Sequence, residues 1–320
     1  MDVVAGVDIG GTNTEVGLVT REGEILAERR IDTTAYPDVD IFCDAIAANV
    51  AALSDQLDDC QLRGIGVGAP NGNYYSGTIE EAPNLVWKGI IPFADLLGAA
   101  SRLPVSLTND ANAAAIGEMM YGAARHMRDF VLVTLGTGLG SGFVTGGELL
   151  YGSTGFAGEL GHMIVIQDGR RCGCGRRGCL ETYVSAPGIV RTVGELLAEQ
   201  GWRSDLASIP LRDMSSRDVA EAAAQGDALA REAFERTGVL LGRTLANVAV
   251  ISSPEAFILF GGLAQSGRLI LDPAQREMEM NLLPVLKGSV RLLLSKLMDS
   301  NAAVLGAAAL AWTDLDKGIV

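Results

Sequence analysis

Short apolar runs that stop at glycine-rich turns mark the first part of the chain. Residues 3–9 are apolar and lead into Gly10-Gly11-Thr12, which predicts a strand that enters a tight turn. An extended pattern then resumes, and a stretch of helical periodicity follows it. Further strands are predicted at residues 15–19, 24–29 and 64–68, and a helix at residues 41–57.

Helical periodicity dominates the second half of the chain, interrupted by a buried strand at residues 256–260. This mixture predicts an α/β architecture with two lobes around a central cleft. We place a smaller N-terminal α/β lobe at residues 1–108 plus 302–320, and a larger C-terminal α/β lobe at residues 109–301. The later helices are predicted at residues 111–121, 186–200, 216–225, 229–252 and 302–313.

The strand–turn–strand pattern recurs 125 positions further along the chain, where Gly136-Thr137 takes the place of Gly11-Thr12. The matching positions fall at turns and strand ends, where backbone geometry restricts the choice of residue. The shared spacing favours an internal duplication over two unrelated hairpins. The other matches are Gly17 with Gly142, Val19 with Val144, and Thr20 with Thr145.

Charge and composition exclude several classes of partner. The chain has 320 residues, 48% of them hydrophobic, and a formal net charge of −14. Such a charge opposes binding to nucleic acid or to an anionic membrane. The sequence shows neither a transmembrane run nor a secretory signal, so we expect a cytoplasmic protein with reduced thiols. Cys43 and Cys60 stand alone and are interpreted as structural thiols.

Three cysteines and a histidine lie close together within residues 159–181. In a reducing compartment such a set indicates a metal site rather than disulfides. Three thiolates and one imidazole complete a tetrahedral zinc shell, so the site is predicted to be closed and structural. Glu159 and Glu181 bracket the set without being needed as ligands, and nearby Arg170, Arg171, Arg176 and Arg177 are interpreted as a solvated basic face. The predicted ligands are His162, Cys172, Cys174 and Cys179.

Other candidate residues lie at the ends of predicted strands. The turns around Gly11-Thr12 and Gly136-Thr137 expose backbone N–H groups that suit phosphate, and Asp8 is placed to hold Mg²⁺. Gly261-Gly262 either contacts the base or the ribose of a nucleotide, or forms a plain strand-to-helix turn. Asp110 is either a helix cap or a base that accepts a hydroxyl proton. The Asn84 loop, which contains Trp87, is either a carbohydrate contact or a packing element.

Taken together, these motifs resemble the ROK family of sugar kinases and sugar-responsive repressors over nearly the whole chain. The resemblance rests on the Asp8–Thr12 hairpin, the Ala82-Pro83-Asn84-Leu85 loop, Asn109-Asp110, Leu135-Gly136-Thr137-Gly138, Glu159-Leu160-Gly161-His162, the cysteine box that ends at Glu181, and Gly261-Gly262.

The resemblance implies an actin-like ATPase (ribonuclease H-like) fold and transfer of the ATP γ-phosphate to a sugar hydroxyl. It makes Asp110 the general base, and it implies a homodimer. Where many relatives carry Pro-Gly and an acidic residue, this chain has Pro70-Asn71-Gly72-Asn73. The implied sugar-binding residues are Asn84, Asn109, Asp110, Glu159, His162 and Glu181. The implied nucleotide and Mg²⁺ residues are Asp8, Gly10, Gly11, Thr12, Gly136, Thr137, Gly138, Gly261 and Gly262.

The leading expectation is therefore an ATP-dependent hexokinase that phosphorylates the 6-hydroxyl of glucose. The same chemistry on fructose, mannose, allose or an N-acetylated amino sugar is the alternative. A sugar-sensing repressor is disfavoured because only seven residues precede Asp8, where repressors carry a helix-turn-helix region, and because the chain is acidic. An actin-like filament protein would leave the zinc loop unexplained.

Overall fold

A computed structural model provides the structure of the protein and describes residues 1–199, 201–297 and 301–319. The strands are β1 Asp2–Ile9, β2 Asn13–Thr20, β3 Ile25–Asp32, β4 Gln61–Ala69, β5 Gly72–Asn73, β6 Thr78–Glu80, β7 Ile90–Ile91, β8 Val105–Asn109, β9 Phe130–Leu135, β10 Leu139–Thr145, β11 Glu148–Leu149, β12 Ala256–Phe260 and β13 Arg291–Leu294. The α-helices are α1 Val39–Ser54, α2 Phe93–Ser101, α3 Asp110–Met120, α4 Ala186–Ala198, α5 Ser216–Ala224, α6 Ala228–Ser252, α7 Arg268–Asn281 and α8 Ala302–Lys317.

The described chain forms two compact units. Unit 1 comprises residues 1–127, 149–158 and 296–320, and unit 2 comprises residues 128–148 and 159–295. Residues 109–127, which the lobe prediction assigned to the C-terminal lobe, belong to unit 1 because β8 pairs with β4 and α3 packs against α8. Residues 298–300 and 320, which the lobe prediction also covers, lie outside the described residues. The functional division into lobes after residue 108 stays a prediction.

Unit 1 is built on a five-stranded sheet with the order β3-β2-β1-β4-β8. β1 runs antiparallel to β2 and parallel to β4, which in turn runs parallel to β8. Helix α8 lies directly on the sheet, and Gly6 and Gly66 leave the space for it. A Cβ atom at Gly6 would come within 2.1 Å of the Val304 carbonyl oxygen, and one at Gly66 within 1.8 Å of the Ala307 carbonyl oxygen. The alanines of α8 complete this close packing.

An apolar core supports the strand ends of unit 1. Phe42 of α1 packs against Trp87 and Phe93, with ring centroids 4.8 and 6.2 Å away. These side chains form one buried cluster with Val7 and Val67 of the sheet. Burial of such side chains contributes roughly 1.5–3 kcal/mol each, so this core fixes the sheet edge where the polar residues lie.

Unit 2 repeats the strand order of unit 1 in its own sheet, β11-β10-β9-β12-β13. β9 is antiparallel to β10 and parallel to β12, and β12 is parallel to β13. Each sheet thus begins with an antiparallel hairpin and continues with two parallel strands. The shared topology agrees with the internal duplication inferred from the 125-residue spacing.

The predicted elements recur in the structure with small changes at their ends. The strand at residues 256–260 is confirmed as β12, and the helix predicted at residues 302–313 extends to Lys317 in α8. The helix predicted at residues 186–200 is confirmed as far as Ala198, and Gln200 lies outside the described residues. Among the described residues, none of the helices is long and apolar enough to cross a membrane.

Helix α7 was missed by the sequence prediction because Pro273 lies inside it. Proline removes a backbone hydrogen bond, so a segment that contains it is not predicted to be helical. The helix forms because it packs tightly against α6, where a Cβ atom at Gly238 would lie 2.5 Å from the Pro273 ring and one at Gly242 would lie 2.3 Å from the Ala274 carbonyl oxygen. Tertiary packing therefore outweighs the local preference.

Candidate functional site

The carboxyl ends of three parallel strands carry the acidic candidates of unit 1. Asp8 pairs with Gly68 across β1 and β4, and Ala69 pairs with Asn109 across β4 and β8. A Cβ atom at Gly68 would lie 3.6 Å from Asp8 Oδ1 and 3.7 Å from Asp110 Cα. The glycine therefore leaves the space between the two acids open, and the structure brings Asp8, Asn109 and Asp110 to one edge of the sheet.

Asp110 is the first residue of α3, but the capping role belongs to its neighbour. Asn109 Oδ1 accepts a hydrogen bond of 2.7 Å from the Asn112 N–H, which is the usual N-cap geometry. Asp110 Oδ1 accepts one of 2.8 Å from the Ala111 N–H. Burial raises the pKa of Asp110 above its usual range. Because the helix is capped by Asn109, the purely structural interpretation of Asp110 loses its support.

Asp8 shares this buried environment. Burial, followed by the charges of Asp110 and Glu15, raises the pKa of Asp8 to about 7. Glu15 is its cross-strand partner on β2. Carboxylates held close together in a desolvated place favour a bound cation, and oxygen ligands suit Mg²⁺. The donor set thus fits the ion that the ROK resemblance implies.

The raised pKa of Asp8 predicts a pH-dependent stability difference. In the unfolded chain Asp8 ionises near pH 4, whereas in the folded protein it holds its proton to about pH 7. Wild-type stability therefore falls relative to Asp8→Asn as the pH rises from about 4 to about 7, and the difference levels off above that. The measurement is the thermal unfolding midpoint of both proteins, without Mg²⁺, between pH 4.5 and 8.5. A difference that does not change with pH would contradict the assignment.

The first glycine turn of unit 1 lies against the loop that carries Asn84. The Gly10 N–H donates 3.0 Å to the Asn13 carbonyl, and the Thr33 N–H donates 2.9 Å to the Thr12 carbonyl, which closes the turn. A Cβ atom at Gly11 would lie only 2.5 Å from the Asn84 carbonyl oxygen. The turn and the loop are therefore in direct contact, which the sequence did not reveal.

The asparagines of the Pro70-Asn71-Gly72-Asn73 segment fix its conformation and its contacts. Asn71 adopts a φ of 52°, in the left-handed region that asparagine and glycine tolerate best. Its side-chain amide donates 2.9 Å to the Glu80 carbonyl, and the Asn73 amide donates 2.9 Å to Glu80 Oε1 and 3.0 Å to the Thr154 carbonyl. These asparagines hold the segment to its neighbours within unit 1.

In unit 2, two predicted nucleotide turns lie together at the end of β9. The Gly136 N–H donates 3.0 Å to the Gly138 carbonyl, and the Gly136 carbonyl accepts 2.9 Å from the Ala186 N–H at the start of α4. Gly261, with a φ of 98°, lies so close that a Cβ atom there would be 2.7 Å from the Leu135 carbonyl oxygen. The structure therefore places the Gly136-Thr137-Gly138 turn beside Gly261-Gly262.

The Gly136-Thr137-Gly138 turn also lies next to the loop that carries the three cysteines. Gly138 is next to Glu181, because a Cβ atom at Gly138 would lie 3.1 Å from Glu181 Oε2. A small polar cavity of about 140 Å³ lies at this junction. Its lining includes Thr137, Cys172, Glu181, Ser185 and Arg191. The acid that brackets the cysteine box is thereby placed next to a candidate phosphate turn.

The four predicted metal ligands converge on one point. Their ligand atoms all lie within 4.8 Å of one another. Cys174 Sγ is 3.7 Å from Cys179 Sγ, and Cys172 Sγ is 3.7 Å from His162 Nδ1. Zinc bound at about 2.3 Å to sulfur in a tetrahedron separates its ligand atoms by roughly 3.8 Å. The donor set and its spacing thus fit zinc.

Glu181 contacts this cluster, and Glu159 lies close to it along the chain. Cys172 Sγ is 2.9 Å from Glu181 Oε1, which lies 3.7 Å from His162 Nδ1. Glu159 precedes a short 3-10 helix, Leu160–His162, and its carbonyl accepts 3.1 Å from the His162 N–H. His162 faces the cysteines with Nδ1, so a metal at Nδ1 leaves Nε2 for another partner.

Arg170 departs from the predicted solvated basic face, whereas Arg171, Arg176 and Arg177 are exposed as predicted. Its side chain is only 10% exposed and lies over the Tyr183 ring, 4.4 Å from the centroid. The guanidinium donates 2.7 Å to the Thr182 carbonyl, 2.9 Å to the Gly188 carbonyl and 2.7 Å to Glu195 Oε2. Arg170 therefore braces the cysteine loop against α4. Its role depends on carbonyls from distant parts of the chain, which give no signal in the sequence.

The fold, the acidic strand ends of unit 1 and the turns and cysteine cluster of unit 2 together define a class of protein. The chain has the actin-like ATPase fold with two α/β units, glycine turns at strand ends and an aspartate directly after β8. The sequence profile of the ROK family matches residues 4–314, and the chain belongs to this family.

Individual relatives agree with this assignment. The chain is 37% identical over 289 residues to the glucokinase of Halalkalibacterium halodurans, which covers 87% of this chain and 86% of that protein. It is 34% identical to a ROK family glucokinase from Streptomyces griseus, solved with glucose and AMPPNP, with a TM-score of 0.80 over 97% of this chain and 99% of that one. A ROK family transcriptional regulator, a homologue of the E. coli MLC protein, is 28% identical with a TM-score of 0.88 over 99% of this chain and 79% of that one.

Proposed function

We propose that this protein is an ATP-dependent glucokinase that transfers the γ-phosphate of ATP to the 6-hydroxyl of glucose. The single observation that carries the proposal is Asp110, a carboxylate directly after β8 whose pKa is raised by desolvation and which the helix does not need as a cap. The two glucokinase relatives, at 37% and 34% identity over most of the chain, support glucose as the sugar.

Asp110 acts as the general base. As the 6-hydroxyl oxygen bonds to the γ-phosphorus of ATP, the carboxylate accepts the hydroxyl proton, and the bond from phosphorus to the ADP oxygen breaks. The raised pKa of Asp110 makes it a stronger proton acceptor than an exposed aspartate. The products are glucose 6-phosphate and ADP.

Binding roles are assigned to both units. In unit 1, Asn84 and Asn109 bind sugar hydroxyls, and Gly10, Gly11 and Thr12 bind phosphate. In unit 2, Glu159, His162 and Glu181 bind sugar hydroxyls. A site of this kind rejects a sugar that lacks a hydroxyl, because the protein group then stays buried without its partner. The proposed nucleotide residues of unit 2 are Gly136, Thr137, Gly138, Gly261 and Gly262.

Two metal ions complete the proposal. Asp8 holds Mg²⁺, which when bound neutralises charge on the ATP phosphates. His162, Cys172, Cys174 and Cys179 hold a structural zinc, which fixes the loop that carries Glu181. The homodimer implied by the ROK resemblance and the cytoplasmic location expected from the sequence remain proposals as well.

A coupled ATP assay over a panel of hexoses tests the proposed function. We expect the highest kcat/KM with glucose, and lower values with fructose, mannose, allose, N-acetylglucosamine and N-acetylmannosamine. A higher value for another sugar would replace glucose by that sugar and keep the kinase. Absence of turnover with every sugar, in protein that still binds glucose, would favour a sugar sensor like the regulators of the family.

A further inference from the structure

The loop at residues 81–89, called the Asn84 loop, joins β6 to β7 in the small three-stranded sheet of unit 1. Its two ends are closed by the pairing of Glu80 with Ile90 and by a 2.9 Å hydrogen bond from the Glu81 N–H to the Gly89 carbonyl. Between these ends the loop has no regular structure, so the position of Asn84 depends on other contacts.

One side of the Asn84 loop is fixed by apolar burial. Ala82, Leu85 and Trp87 are 2%, 3% and 7% exposed, and the indole N–H of Trp87 donates 3.1 Å to the Tyr36 carbonyl. Burial of these side chains leaves backbone carbonyl groups of the same loop to be paired. Those carbonyl groups need donors, because an unpaired backbone acceptor carries a free-energy cost.

Lys88 supplies these donors. Its ammonium group donates 3.1 Å to the Ala82 carbonyl, 3.2 Å to the Pro83 carbonyl and 2.8 Å to the Leu85 carbonyl. These three acceptors match the three protons of an ammonium group. The carbonyls come from both sides of Asn84, so the lysine closes the loop around that residue.

The Asn84 loop is also in contact with the first glycine turn. The space for a Cβ atom at Gly11 is filled by the Asn84 carbonyl oxygen at 2.5 Å and by Asn84 Cβ at 3.2 Å. A shift of the loop would therefore displace Asn84 relative to a proposed phosphate turn. Sugar binding depends strongly on the position of such an amide, because the amide must lie within a few tenths of an ångström of the place where it bonds to the sugar hydroxyl.

We propose that Lys88 is a positioning residue for sugar binding: its ammonium gathers the carbonyls on both sides of Asn84 and thereby sets the orientation of the Asn84 amide. Lys88 acts through Asn84 and does not itself touch the sugar. This inference rests on the proposed function, because it takes Asn84 as a sugar contact.

The chemistry of the site requires lysine in particular. An ammonium is a compact group with three donors that point in different directions, whereas the guanidinium of arginine is a planar fork. Three carbonyls that surround one point can be bound by the ammonium of lysine but not by the planar guanidinium of arginine. Lys88→Arg is therefore expected to behave like Lys88→Met, although it keeps the positive charge.

Steady-state kinetics of purified full-length variants test the proposal. For Lys88→Met and Lys88→Arg we expect the KM for glucose to rise about tenfold, with kcat and the KM for ATP changed by less than about threefold. Lys287→Met, which removes an exposed lysine of unit 2, is the matched control and should leave all three constants unchanged. Thermal unfolding confirms that each variant is folded.

A double-mutant cycle with Asn84→Ala identifies the route of the effect. If Lys88 acts through Asn84, Lys88→Met should change the glucose KM by less than about twofold when Asn84 is already alanine. Independent tenfold effects in the two backgrounds would overturn the proposal, and so would an unchanged glucose KM in a folded Lys88→Met protein. If instead the wild-type protein turns over no sugar, the proposed function itself fails, which is seen before any variant is made.

Discussion

Asp110→Asn is expected to lower kcat for glucose phosphorylation by about 100-fold to 10,000-fold, the usual range for loss of a general base. The amide keeps the size of the carboxylate but cannot accept the hydroxyl proton. The hydrogen bond from the Ala111 N–H to Oδ1 can be retained by the amide oxygen, and Asn109 still caps α3. We therefore expect the folded structure and glucose binding to persist. The measurement is a coupled assay with saturating ATP, together with glucose binding by calorimetry.

Asp95→Asn is the matched control for this result. Asp95 lies in the first turn of α2, as Asp110 lies in the first turn of α3, but it is not one of the residues assigned to the proposed site. Both changes remove a negative charge near a helix N-terminus, so only a catalytic role distinguishes them. Near-normal turnover in folded Asp110→Asn protein would refute the assignment of the base.

The same residue sets the expected pH dependence of catalysis. Asp110 must be deprotonated to act as a base, and burial raises its pKa. The rate should therefore fall as the pH drops through that raised value, at a higher pH than an ordinary aspartate, with a pKa near 4, would give. A pH profile of kcat/KM for glucose shows the position of this acid limb, which should be absent from the residual activity of Asp110→Asn.

Cys179→Ser is expected to abolish zinc binding and to raise the KM for glucose by about tenfold or more. Wild-type protein should contain about one zinc per chain, because four ligands complete one tetrahedral shell. Cys179 is fully buried, so its loss leaves three ligands and an opened shell. The acid Glu181 and the ligand His162 then lose their fixed positions. Elemental analysis measures the zinc, and the coupled assay measures the KM.

Cys60→Ser provides the control for the zinc experiment. Cys60 is half-buried in unit 1, and its thiol lies 3.5 Å from the Ser54 carbonyl oxygen, away from the four ligands. This variant should keep the zinc content and the glucose KM of the wild type. Metal-free wild-type protein with full activity would show that zinc is not needed to arrange the sugar-binding loop.

Local features of the molecule were predictable from the sequence. The strand–turn signals at Gly10-Gly11 and Gly261-Gly262 depend on neighbouring residues, so the elements around them were found with small errors at their ends. The metal ligands were predictable for a similar reason: Cys172, Cys174 and Cys179 lie within eight residues, and one short loop can bring them together. Even the duplication was visible, because turn geometry restricts residue choice at equivalent places in two sheets.

Features that combine distant segments were not predictable. Helix α7 contains Pro273 and forms because Gly238 and Gly242 let it approach α6. Arg170 was interpreted as part of a solvated basic face, since the carbonyl groups of Thr182 and Gly188 that it binds have no signature in the sequence. The compact units likewise depend on which helix packs on which sheet, which explains why residues 109–127 belong to unit 1.

The sequence by itself determined which chemical groups are available to this protein: glycine turns at strand ends, three thiols and an imidazole in one loop, and carboxylates beside strand ends. Only the tertiary structure decided which carboxylates share one environment. Asp8 and Asp110 are separated by about a hundred residues, and they meet because the parallel register of β1, β4 and β8 aligns their strand ends. Desolvation in the folded chain raises the pKa of both groups, and the charge of Asp110 raises the pKa of Asp8 further; both effects arise only when the chain folds.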